Sequence, residues 1–331
     1  MKVLEVAGVS AAPGTKVRGS TQYVELADGS PVSLPLLLIN GASDGPRMYL
    51  GAAIHGDEVD GVAILFRALA EVDPATLAGS IVCVPVQHPL ALYADHRIPV
   101  SQYMKSPLDQ APLDAWTVFP GNDKGNLAQL LAAKLFGMIT ECDYAIDIHT
   151  PTRGGRYVPI AILPHPDLGE PRKRAREMAD AFGSGWIMDT DTSFYVSDGI
   201  LCAEATRAGV PAFTFEIGEG GRLEDAVVDE GARCVLNALR WLKMIPGPMR
   251  PPEKTYVMRE FLEIRAEKGG LLLNRAELGD VVTKGQVLAQ VFNIYGDEVQ
   301  TVTAPADGVF VRTTTLSTVS TGERVATLGL L

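Results

Sequence analysis

Apolar and polar positions fall in blocks along this chain. Residues 32–55 hold two apolar runs, VSLPLLLI and RMYLGAAIH, separated by the turn residues GASDGP. Short apolar runs bounded by such residues are the pattern of buried strands. Residues 59–72 (VDGVAILFRALAEV) return an apolar side chain every three or four positions, which predicts a helix with one packed face. The same reading predicts a strand at 80–89 (SIVCVPVQHP), a helix at 127–141 (LAQLLAAKLFGMITE) and a strand at 142–150 (CDYAIDIHT). An apolar PIAILP run follows, then an amphipathic helix in RKRAREMADAFG, a strand at 211–221 (PAFTFEIGEGG) and a closing helix at 229–245 (DEGARCVLNALRWLKMI). The stretch 90–126 carries several prolines and no period, and an irregular segment of that length inside a domain is usually functional. Strands alternating with helices predict an α/β fold, a mixed and mainly parallel sheet flanked by helices.

The pattern changes at the proline-rich break 245–254 (IPGPMRPPEK). Beyond it Val, Thr and Leu dominate and turn pairs recur at short intervals, the signature of a small all-β domain. The chain therefore divides into a larger domain at 1–248, with an N-terminal β extension over about 1–30, and a β-sandwich or barrel-like domain at 249–331. A length of 331 residues with 47% hydrophobic content leaves room for both cores.

Charge narrows the partner class. The net charge of −11, with no basic cluster, argues against nucleic acid and anionic membranes and favours a small molecule. Cys83, Cys142, Cys202 and Cys234 are far apart among apolar neighbours, which predicts buried free thiols in a reducing cytosol. The apolar runs fall far short of the roughly 20 residues of a spanning helix. The N-terminal MKVLEVAGVSAAPG is too short in its apolar part for a secretory signal, so a cytoplasmic location is expected.

Candidate chemistry gathers at predicted strand ends, where open α/β sheets place their functional side chains. His55 and Glu58 follow one strand within GAAIHGDEVDG, His149 ends another, and Glu216 ends a third. Two imidazoles and a carboxylate can ligate zinc and leave a position open, and a further carboxylate can carry the proton between water and leaving group. HxxE or DxH alone is a weak signal; their joint occurrence at strand ends is a stronger one.

The motif order HGDEVDG, HRIP, FPG, DIHT, TFEIGEGG resembles that of the succinylglutamate desuccinylase/aspartoacylase family, within the zinc metallocarboxypeptidase superfamily. The resemblance spans about residues 40–330 and implies a zinc-dependent deacylase, with one Zn2+ per chain, acting on a small N-acylated amino acid or amine. It implies His55, Glu58 and His149 as metal ligands, Glu216 as general base and acid, and Arg97 as the cation that stabilises the oxyanion. Asp147, on the same side of its strand as His149, and Asp57 are the implied orienting carboxylates behind the ligands. A carboxypeptidase, an esterase and a non-catalytic zinc-containing binding protein are the competing readings.

The chain departs from the family in one respect. Relatives carry an Asn-Arg pair shortly before FPG that grips a substrate carboxylate, and alignment puts Trp116 and Thr117 there. These two are the candidate substrate-binding residues, Arg153 and Arg156 the candidate replacements for the missing guanidinium, unless both are simply solvated. Asp189, Asp191 and Asp198 either face a cationic substrate or belong to a solvated loop. The β tail resembles a biotinyl/lipoyl module, but no lysine follows Lys284 and the NIYGDEVQ tip has none, so a carrier role is not expected. Shaping the mouth of the site and packing against a second subunit in a homo-oligomer both remain open for it.

Overall fold

In the computed structural model, which describes residues 2–99 and 114–331, the apolar runs of the larger domain lie side by side in one sheet. Its centre is the strand Tyr144–His149, flanked in parallel by Ser43–Ala52 and Ala212–Glu219. Ser43–Ala52 pairs in parallel with Ala78–Val84 on its other edge. These strands are buried on both faces, which is why their sequences read as continuous apolar runs and not as alternation. Successive residues still point to opposite sides. Met48 and Leu50 join Ile146, Phe213 and Phe215 in the core under helices Asp60–Ala70, Gly169–Phe182 and Asp225–Trp241. Tyr49 and Ala145 join Leu131, Leu135 and Leu201 in the core under helices Leu127–Ile139 and Leu201–Arg207.

The flanks are antiparallel. Pro31–Asn40 pairs with Ala78–Val84, and Thr15–Glu25 pairs with Pro31–Asn40, so the N-terminal extension is part of the main sheet. On the far side Gly155–Ile162 runs antiparallel to Ala212–Glu219. The stretch expected to be irregular, 90–126, is not wholly so. Pro89 opens a helix, Pro89–Ala94, because its fixed φ suits a first helical turn and its missing N–H costs nothing there. Ala115–Thr117 form a 3-10 turn whose cap is Asp114, accepting from the Trp116 N–H at 3.0 Å. Residues 100–113 of that stretch lie outside the described residues. The helix Leu201–Arg207 and the strand Trp186–Met188 are additions, too short for any period to show.

Beyond the proline-rich break the chain is all β. Val287–Phe292 lies between Gly270–Asn274 and Glu298–Thr303, and Arg324–Leu330 lies between Glu260–Arg265 and Gly308–Thr314. Leu288, Val291, Phe310 and Leu328 fill the core between these layers. The module is hydrogen-bonded into the larger sheet, for Gly308–Thr314 pairs antiparallel with Gly155–Ile162 and Tyr256–Met258 pairs with Trp186–Met188. No helix among the described residues is long and apolar enough to cross a membrane.

Candidate metal centre and active site

Parallel register brings the strand ends together. Glu216 is the cross-strand neighbour of His149, and Asp147 that of Gly51. His55 follows the end of Ser43–Ala52, where the chain turns sharply through Ala53 at φ 50°. The His55–Glu58 turn is closed by the Glu58 N–H donating to the His55 carbonyl at 3.3 Å. Gly56 makes this turn fit, since a Cβ there would lie 1.8 Å from the Ala91 carbonyl oxygen of the neighbouring helix.

Both imidazoles face one carboxylate. His55 Nδ1 lies 2.8 Å from Glu58 Oε1, and His149 Nδ1 lies 2.9 Å from Glu58 Oε2. The ligand atoms of these three buried residues all lie within 4.8 Å of one another. The outer ring nitrogens are occupied: His55 Nε2 by Asp114 at 3.1 Å and His149 Nε2 by Asp147 at 2.7 Å. A second carboxylate on the far nitrogen of each imidazole is the usual way to aim the near nitrogen at a metal. The donor set, two nitrogens and a carboxylate, suits zinc with an open position.

Electrostatics agree with the geometry. Burial opposes charge on His55, but Glu58 and Asp114 outweigh it and hold the ring above the ordinary imidazole range. Burial likewise opposes charge on His149, and Asp147 and Glu58 hold it well above that range. Burial pushes Glu58 up, yet the two imidazoles hold it well below the usual carboxylate range. Asp114 is depressed in the same way by His55 and Arg97 against the effect of its burial. Three carboxylates, Glu58, Asp114 and Asp147, thus face the two imidazoles.

Glu216 stands differently. Burial first, and the Glu58 charge second, raise it above the usual carboxylate range. Its Oε1 accepts from the Tyr195 hydroxyl at 2.8 Å, while Oε2 is buried with no partner among the described residues. It is a carboxyl group close to the three ligands, held by one oxygen and free at the other.

Arg97 reaches the centre, with Nη1 3.6 Å from Glu58 and with Nε and Nη2 on Asp114 at 2.9 and 2.8 Å. Asp147 contacts His149 Nε2, whereas the hydrogen bond of Asp57 goes elsewhere. Its Oδ2 accepts from the Arg153 N–H at 3.2 Å and so pins the loop after His149. Thr117 turns its hydroxyl to the Asp114 carbonyl oxygen at 2.9 Å. Arg153 and Arg156 are engaged elsewhere, Arg153 by Asp95 and Arg156 by a two-pronged pair with Glu224 at 2.7 Å each. Asp189 is paired with Arg172 and Arg176, and Asp198 with Arg207; Asp191 lines a separate surface depression with Asp189. None of these acids lines the cavity over the centre.

Trp116 packs against His149 with ring centroids 4.9 Å apart, and its Nε1–H donates to Asp147 Oδ2 at 3.1 Å. The indole thus holds the carboxylate that holds His149. Trp116→Phe keeps most of the packing and removes that donor. It is expected to weaken divalent-metal binding by about 10- to 100-fold in a competitive chelator titration, beyond the modest fall in unfolding temperature that a smaller buried ring brings. Unaltered affinity would show that Asp147 keeps its place unaided.

Two functional side chains escaped the sequence reading. Asp114 bridges His55 and Arg97, and its only sequence trace is an acid two residues before the tryptophan in LDAWT. Tyr195 arrives on the short 3-10 turn Phe194–Val196, and no spacing relates it to Glu216.

Residues 44–242 match the family described as succinylglutamate desuccinylase/aspartoacylase catalytic domain. A curated relative from Halomonas elongata, named N-alpha-acetyl-L-2,4-diaminobutyric acid deacetylase, is 25% identical over 305 residues, which is 90% of this chain and 85% of the relative. Among solved structures, a succinylglutamate desuccinylase from Silicibacter sp. TM1040 superposes with a TM-score of 0.81 at 20% identity, covering 95% of this chain and 94% of its own. The product-bound ectoine utilization protein EutE (DoeB) from Ruegeria pomeroyi gives 0.80 at 23% identity, covering 96% and 95%. These structural likenesses establish a shared fold.

Proposed function

The chain belongs to the succinylglutamate desuccinylase/aspartoacylase family, and from that premise we propose that it is a zinc-dependent amidohydrolase that removes the acyl group from an N-acylated amino acid or related amine. The observation that carries this reading is the convergence of His55, Glu58 and His149 with Glu216 beside them. A zinc ion held by the three would supply Lewis acidity to the acyl carbonyl and acidify water. Glu216 takes the proton of the attacking water on its free oxygen and returns it to the departing amine. Its raised proton affinity suits both halves of that task. Arg97, fixed by Asp114, supplies positive charge where the acyl oxygen becomes negative. Trp116 and Asp147 keep His149 aimed, and Tyr195 keeps Glu216 in place. The Halomonas relative supports an N-acyl diamino acid as the substrate type. A cavity of about 380 Å³ over the centre accommodates a molecule of that size.

A panel of N-acyl amino acids, short peptides and esters, each assayed with and without chelator, tests the proposal. Chelator-sensitive release of a free amine from the N-acyl amino acids is the expected result. Turnover confined to peptides or esters would replace the substrate class, and no turnover of any compound by zinc-loaded protein would sink the enzymatic reading.

A further inference from the structure

The cavity over the centre is not walled by the α/β domain alone. Phe261, Glu263, Arg324 and Thr327 of the C-terminal module share its lining with His149 and Glu216. Strand register explains this. Tyr157 pairs with Arg312, Arg312 with Thr327, and Thr327 with Glu263, so the four stand in one row across four hydrogen-bonded strands. Cross-strand partners point to the same face of a sheet. Tyr157, Thr327 and Glu263 line the cavity, and Arg312 stands in the row between them.

This wall carries unmatched donors. Glu263 is paired with both Arg265 and Arg324. Arg312 makes no ion pair with any described residue, and its Nη1 is buried without an acceptor. Arg324 Nε and Thr327 Oγ1 are buried without partners as well. Buried donors are normally satisfied, so these three have capacity for an acceptor brought from outside, and at the guanidinium groups an anion suits best. Among the cavity-lining residues Arg97 and Arg324 stand against Glu216 and Glu263, and Arg312 beside them is a further guanidinium with no carboxylate partner among the described residues. Burial lowers the proton affinity of Arg312, but a guanidinium stays charged at any working pH.

We propose that Arg312 and Arg324 form the subsite that binds the carboxylate of the N-acyl amino acid. The C-terminal module would then be part of the substrate site and would supply the guanidinium that positions 116 and 117 lack. A fork of N–H donors on a planar carboxylate is the pairing these groups are shaped for. The inference rests on the deacylase reading, because it assigns the end of that substrate opposite the acyl group.

The test compares an N-acetyl diamino acid with its carboxamide, which keeps every other group and loses the negative charge. Zinc-loaded full-length protein is expected to prefer the acid, and Arg312→Gln and Arg324→Gln to lower kcat/KM for the acid by about 10- to 100-fold, chiefly through KM. The amide should change little, so the preference collapses, and Arg324→Lys should restore part of it. Calorimetric binding of the free diamino acid and its amide gives a second readout independent of turnover. Equal losses on acid and amide, in variants with unchanged unfolding temperature, would overturn the subsite. Acid-selective binding that both variants lose, in a protein that turns over neither compound, would uphold the subsite while the deacylase reading fell.

Discussion

Glu216→Gln is expected to lower kcat/KM by between about 10²- and 10⁴-fold while leaving zinc content and KM close to those of the parent. The substitution keeps the shape of the side chain and an oxygen that can accept from the Tyr195 hydroxyl, now 2.8 Å from Oε1. It removes the oxygen that has no partner among the described residues, the one proposed to accept the proton. It also removes a negative charge that Glu58 repels, so the fold should be no less stable than the parent's. Steady-state kinetics together with metal analysis make the check. A zinc-loaded variant with full activity would show that another group moves the proton. A variant that lost its metal would instead make Glu216 a support of the centre.

His149→Ala should abolish both metal binding and turnover, and it should destabilise the protein. His149 is buried against Asp147 and Glu58, themselves buried, with contacts of 2.7 and 2.9 Å. Deleting the imidazole leaves Asp147 without its positive partner and Glu58 with only His55 and Arg97. Removing one member of a buried charged pair typically costs about 3–5 kcal/mol. Denaturant unfolding of metal-free parent and variant measures that cost, and chelation of the parent gives the matching functional control. Activity lost to chelator and regained with zinc is the expected behaviour. Retention of stoichiometric zinc by His149→Ala would remove His149 from the ligand set.

The two experiments probe different layers of one site. In the proposed reaction Glu216 acts on the substrate's protons, whereas His149 would hold the centre beside which that happens. Loss of turnover with metal retained in the first variant, and loss of both in the second, is the pattern the arrangement requires.

Much of the α/β framework was legible because its strands are buried on both faces. An apolar run such as IVCV, bounded by turn residues, has few other ways to hide its side chains. Helices were legible where one face packs, as in Asp60–Ala70. Short elements were not, because a seven-residue helix such as Leu201–Arg207 holds barely two turns of pattern. The candidate ligands were legible for a related reason. Strand ends are visible as polar residues after apolar runs, and HxxE keeps two ligands close in the chain.

Other parts could not be read along the chain. Asp114 meets His55 across 59 positions, and Tyr195 meets Glu216 across 21. Arg153 and Arg156 looked like free cations near the site, yet Asp95 and Glu224 engage them. Whether a charge is free depends on its neighbours in space, and sequence distance does not reveal them.

By itself, the sequence determined which segments must be buried, where the strands end, and hence which imidazoles and carboxylates stand at one edge of the sheet. Hydrophobic burial acts locally on each run, so its imprint is local too. The tertiary structure alone decided the place of the C-terminal module. The strand Gly308–Thr314 bonds to Gly155–Ile162, and this pairing brings Glu263, Arg324 and Thr327 to the cavity, with Arg312 in the same cross-strand row. Backbone hydrogen bonds between strands carry no side-chain signature, and so that partnership exists only in the folded chain.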